Sequence, residues 1–149
     1  MVKILIASPI KQQSNILKEF LVSLIELNKD ACKCDYIFID DYNQQESFQL
    51  LSNFAKTVKN VRVIPSSMIM DVDAPYLMHG WNNALIEKVA CLKNYIIDTA
   101  CNEEYDYLFF IDSDIVLHKE TLQRLLSVNR EIVSNVFWTR VSKCDDYEP

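Results

Sequence analysis

The chain has 149 residues, half of them hydrophobic and 24% charged, with a formal net charge of −6. That is enough chain for one domain with a real core, and the composition is ordinary for a globular protein. An acidic chain whose Lys and Arg do not cluster argues against nucleic acid, which is bound through basic surface. No apolar run approaches the ~20 residues of a membrane span, and the opening segment is too short for a signal peptide. The cysteines at 32, 34, 91, 101 and 144 are scattered and lack zinc-finger spacing. They read as reduced thiols in a cytoplasmic protein. The sole glycine, Gly80, rules out glycine-rich phosphate loops of the Walker A or dinucleotide kind. A phosphorylated ligand would have to be met by a metal, by basic side chains or by helix N-termini.

Lys3 to Ile10 reads as a first strand, closed by Ser8-Pro9. A helix follows from about Ser14 to Asn28, with Ile16, Leu17, Phe20, Leu24 and Leu27 at helical spacing. Cys34 to Asp41 is a second strand that ends in Asp40-Asp41. Gln45 to Val58 is a second helix, carrying Phe48, Leu51 and Phe54-Ala55. Val61 to Ile64 is a third strand, stopped at Pro65-Ser-Ser67. Met68 to Gly80 is irregular, and its Asp71 and Asp73 read as solvated. Tyr76, His79 and Trp81 read as loop and helix-start residues. A long helix from about Asn82 to Cys101 places Leu85, Val89, Leu92, Ile96 and Ala100 on one stripe.

The next stretch, Tyr105-Asp-Tyr-Leu-Phe-Phe-Ile-Asp-Ser-Asp-Ile-Val-Leu117, carries the chemistry. Its apolar run from Tyr107 to Ile111 reads as a strand buried on both faces. Strand side chains alternate, so Asp112 and Asp114 share one face and Ser113 takes the other. Two carboxylates together repel unless a cation lies between them. Mg²⁺ or Mn²⁺ takes one or two protein carboxylates and completes its shell with water and phosphate oxygens. Lys119 to Val128 then reads as a helix that His118 helps to start, and Ile132 to Trp138 as a fifth strand. Ser142 to Pro149 forms a polar tail, which leaves 1–141 as the domain.

Alternating strands and helices predict an α/β fold, a mostly parallel sheet with helices on both faces. Ligands of such sheets bind beyond the carboxyl ends of the strands. Ser8-Pro9, Asp40-Asp41, Ser66-Ser67 and Asp112-Ser-Asp114 should therefore line one rim.

This arrangement resembles the donor-binding, Rossmann-like half of GT-A glycosyltransferases, in particular family 2. The likeness rests on Ile4-Leu-Ile-Ala-Ser-Pro-Ile-Lys-Gln12 leading into Ile16-Leu-Lys-Glu-Phe-Leu21, on Asp40-Asp41, and on the run from Val89-Ala-Cys-Leu-Lys-Asn94 through the Asp-x-Asp stretch to Thr121-Leu-Gln-Arg-Leu-Leu126. It implies that Asp114 ligates a Mn²⁺ or Mg²⁺ bridging the diphosphate of a nucleotide-sugar donor. Asp112 would assist it or contact the ribose, Asp41 would hydrogen-bond base or ribose, and Pro9 would cradle the nucleoside. Lys93 stands where relatives often carry arginine near the donor. It keeps the charge but not the planar fork.

The resemblance leaves the catalytic base unassigned and the acceptor unknown. The residues after Asp114 offer no good base, so the chain is expected to be a donor-binding part, incomplete for transfer on its own. Two alternatives stay open: a nucleotide-sugar binding module without turnover, and a haloacid dehalogenase-type phosphotransferase with Asp112 as nucleophile.

Overall fold

The computed structural model describes residues 1–30, 32–42, 44–70 and 82–136. Apolar runs rich in β-branched and aromatic residues form four strands: β1 (Val2–Ile10), β2 (Cys32–Asp40), β3 (Val61–Pro65) and β4 (Tyr107–Phe110). Between them lie α1 (Ser14–Glu26), α2 (Gln45–Thr57) and α3 (Asn83–Asn102), and α4 (Thr121–Ser127) follows β4. All pairings are parallel, in the order β3-β2-β1-β4. The chain thus steps outward from β1 to β3 and then returns to the far side of β1. That reversal makes the gap between β1 and β4 the switch point of the sheet.

Strand alternation splits the core in two. Ile4, Ile6, Ile10, Tyr36 and Phe38 pack on one face against Leu17, Phe20 and Leu24 of α1 and Leu51 and Phe54 of α2. Edge-to-face contacts of Phe38 with Phe20 and with Phe54, ring centroids 6.2 and 5.6 Å apart, fill the middle of this layer. Leu5, Ala7, Ile37 and Ile39 face the other way, onto Leu92, Ile96 and Ala100 of α3. The expected α/β sheet, parallel and covered on both faces, is what forms.

Without glycines to spare, the left-handed turns fall to Asn60 (φ 59°), Glu104 (φ 55°) and Asn129 (φ 50°). Asparagine tolerates that region because its short side chain bonds locally. Asn60 does so across the turn into β3, its Nδ2 donating to Asp35 Oδ1 at 2.7 Å. Near the starts of the strands, the Tyr105 hydroxyl donates to Asp35 Oδ2 at 2.9 Å. There the Arg62 guanidinium holds Glu103 with two bonds and keeps its carboxyl below the usual range. These contacts fix the entry of β4 at the end of the sheet away from its carboxyl rim.

Several readings need correction. The strand before Asp112 stops at Phe110, one residue short of the expected Ile111. Among the described residues β4 is an edge strand, its Tyr107 39% exposed, and is not buried on both faces. Residues 132–136 are not a strand either; Ile132 is 92% and Val136 77% exposed. A short apolar pattern does not by itself supply a pairing partner. Phe48, expected in the core, points outward, and Ser47 takes the inner position by donating to the Gln12 carbonyl at 3.2 Å. The stripe of α3 runs through Lys88 rather than Val89.

Cys32, Cys34, Cys91 and Cys101 are free thiols. Burial first, then the neighbouring Cys32, pushes the Cys34 thiol up to about 11, which disfavours its thiolate. No helix among the described residues is long and apolar enough to cross a membrane. Asp71, Asp73, Tyr76, His79, Trp81, Cys144, the end of the expected fifth strand and the tail at 142–149 lie outside the described residues.

Candidate functional site

The carboxyl ends of the parallel strands share one rim, and the register of β1 with its neighbours orders that rim. Ile10 pairs with Asp40 and Asp40 with Pro65, so the ends of β1, β2 and β3 come level. Ala7 pairs with Phe110, and the Ile111 amide still donates to the Ala7 carbonyl at 3.1 Å. Asp112 therefore emerges alongside Pro9, at the switch point. The parity of Leu5 and Ala7, of Ile37 and Ile39, and of Leu108 and Phe110 sets these residues toward α3. Pro9 continues that parity within β1, and Asp41 and Asp112, just beyond β2 and β4, meet Lys88 and Lys93 of α3. All three belong to the α3 side of the rim.

Asp112 and Asp114 occupy a turn after β4, closed by the Ile115 amide donating to the Asp112 carbonyl at 3.1 Å. Both carboxylates are exposed and Ser113 between them is buried. Exposure alternates here along a turn and not along the strand that was expected to set it. Two exposed hard-oxygen donors fit a Mg²⁺ or Mn²⁺ that keeps water and phosphate in its remaining sites. No group of three or more His, Cys, Asp or Glu suited to a metal occurs among the described residues. Among the described residues, these two carboxylates are the protein side that such a site would have.

Asp41 sits differently. Its amide donates to the Ile10 carbonyl at 2.8 Å, which ties the ends of β1 and β2 together. Its Oδ1 accepts from Ser66 Oγ at 2.6 Å and lies 2.6 Å from Lys88 Nζ. Its Oδ2 is 3.6 Å from Lys11 Nζ. The Lys88 and Asp41 side chains are only 7% and 8% exposed. Desolvation of two charges is costly, and a short, hydrogen-bonded geometry is what offsets it. Residues from just beyond β1 and β3 and from α3 thus converge on a carboxylate just beyond β2.

Sequence reasoning selected Asp41 and missed Lys88. The signal was there: Lys88 follows Leu85 by three residues and precedes Leu92 by four, inside an apolar stripe. A lysine on such a stripe needs a buried acid opposite, and the strand-end aspartates were the candidates. Lys93 lies nearer the surface, its Nζ 3.9 Å from Asp112 Oδ1 and 5.8 Å from the centre of the Phe110 ring. His118 stays out of the rim. Its carbonyl and Nδ1 accept from the Thr121 and Glu120 amides at 2.9 and 3.2 Å, starting α4 as expected.

The rim therefore places three lysines and two exposed carboxylates over a switch point on a chain of net charge −6. A family model described as glycosyltransferase family 25, N-terminal domain, matches residues 1–144. The chain belongs to this glycosyltransferase family. The likeness to a GT-A donor-binding half is borne out at that level, with family 25 the matching family where the sequence pointed to family 2. A glycosyltransferase domain is the first of the readings above, not the dehalogenase-type alternative. A search of curated proteins found no match to the glycosyltransferase chain.

Proposed function

We propose that this glycosyltransferase domain binds a nucleoside-diphosphate sugar at the rim between β1 and β4, with a divalent cation held by Asp112 and Asp114. The observation that carries the reading is the register Ala7 to Phe110, which sets the Asp-x-Asp turn beside Pro9 on the side where α3 supplies lysines. A bound Mg²⁺ or Mn²⁺ would neutralise the diphosphate as it leaves the sugar.

The chain's own residues divide the remaining work. Lys88 and Ser66 hold Oδ1 of Asp41, so the carboxylate cannot rotate. Its Oδ2, met among the described residues by Lys11 at 3.6 Å, keeps capacity to accept from a ribose hydroxyl or a base N–H. Pro9 has no amide proton to satisfy and its carbonyl end lines the nucleoside side of the rim. Lys93 and Lys11 supply positive charge to phosphate oxygens. Asp114 is the metal ligand, with Asp112 as its assistant.

Thermal unfolding with a panel of nucleoside diphosphates tests the reading. A donor nucleotide at a hundredfold over its dissociation constant should stabilise by about 2.7 kcal/mol, a rise of roughly 5 to 10 °C. The rise should require Mn²⁺ and vanish with chelator. No metal-dependent shift with any nucleotide would make the two aspartates ordinary surface residues.

A further inference from the structure

Lys88 and Lys11 lie against Asp41, whereas Lys93 lies against Asp112. Leu92, its neighbour, is buried against the sheet and fixes this turn of α3. The lysine stem is directed by that anchor toward the end of β4. Its ammonium lies 3.9 Å from Asp112 Oδ1 and 5.8 Å from the Phe110 ring centre, within range of the ring's negative face. A cation is thus already stationed on one of the two carboxylates assigned to the metal.

We propose that Lys93 is a positioning residue that competes with the divalent cation for Asp112, so that the cation binds tightly only together with a diphosphate. The inference rests on the donor-site reading above and adds an order of events to it. The ion pair itself is weak, because the two side chains are 43% and 70% exposed. A dication brought to the same carboxylate is repelled by the ammonium, and a doubly charged ion feels twice the repulsion of a singly charged one. Metal alone therefore meets an opposed site. A diphosphate changes the balance, since its oxygens attract both cations at once. Lys93 transfers to phosphate, Asp112 is released, and metal and nucleotide bind with positive cooperativity.

Mn²⁺ titration followed by electron paramagnetic resonance reads this without turnover. Wild type, Lys93→Met and Lys93→Arg would each be titrated alone and with uridine or guanosine diphosphate. Lys93→Met should bind Mn²⁺ alone about five- to tenfold more tightly than wild type. It should lose most of the gain in Mn²⁺ affinity that the nucleotide gives. Lys93→Arg keeps the charge and should follow wild type for Mn²⁺ alone. Equal affinity of wild type and Lys93→Met for Mn²⁺ alone, with the nucleotide enhancing both alike, would overturn the competition and leave the donor site standing. Failure of every variant to bind Mn²⁺, with or without nucleotide, would overturn both.

Discussion

Replacing Lys88 with methionine should destabilise the domain by about 3 kcal/mol, a large share of the roughly 5–15 kcal/mol that holds a domain folded. The cause is the aspartate left behind, not the lost attraction. Asp41 would stay buried with Ser66 and the more distant Lys11 as its remaining partners among the described residues. Lys11 at 3.6 Å keeps the loss near the lower end of the 3–5 kcal/mol typical of a broken buried pair. Asp41→Leu should cost at least as much, since it strands the ammonium of a side chain only 7% exposed. The double variant Lys88→Met/Asp41→Leu should cost well under the sum of the two, because it leaves neither member of the pair buried without the other. Urea unfolding at neutral pH measures all three. Additive losses would mean that Lys88 and Asp41 do not depend on each other.

Asp114→Asn should act in the opposite way, sparing the fold and removing binding. Its carboxylate is exposed in the turn after β4, where substitutions usually change stability by no more than about 0.5 kcal/mol. Loss of one of the two carboxylates of the turn should weaken metal-dependent nucleotide binding by at least about a hundredfold, beyond the 10–100-fold seen for outer-shell changes. Asp112→Asn should weaken it less, since Asp112 assists and is partly offset by Lys93. Calorimetric titration with Mn²⁺ present gives both affinities. Wild-type affinity in Asp114→Asn would remove that residue from the site.

The strands were legible because Ile4-Leu-Ile-Ala and Tyr36-Ile-Phe-Ile are buried runs with few other ways to form. α3 was legible because its apolar spacing persists over about four turns and Asn82 caps it, accepting from the Leu85 amide at 2.8 Å. Pairing was not legible. Nothing in Tyr107 to Ile111 says that the strand ends at Phe110 or lies at the described edge, since edge and centre differ in partners and not in local pattern. Ile132 to Val136 failed for the same reason. In the site, Pro9, Asp41, Asp112 and Asp114 could be found as polar breaks at strand ends, a property of the chain alone. Lys88 depends on which helix residue faces which strand, and Val89 competed for the same stripe. The opposition of Lys93 and Asp112 likewise appears only once α3 lies across β4.

A single measurement addresses the donor site most directly: paramagnetic broadening of backbone amide signals by Mn²⁺ in the presence of a bound nucleoside diphosphate. Broadening falls off steeply with distance from the ion, so it maps where the metal sits. Signals of Ile10, Lys11, Asp41 and Asp112 to Asp114 should disappear first, while Asn60, Glu103 and Asp106 at the opposite end of the sheet stay sharp. Chelator should restore the lost signals, and Asp114→Asn should prevent the loss. Broadening centred on the Asn60, Glu103 and Asp106 end, or none at the rim with nucleotide bound, would contradict the assignment of Asp112 and Asp114 to a metal-bridged donor.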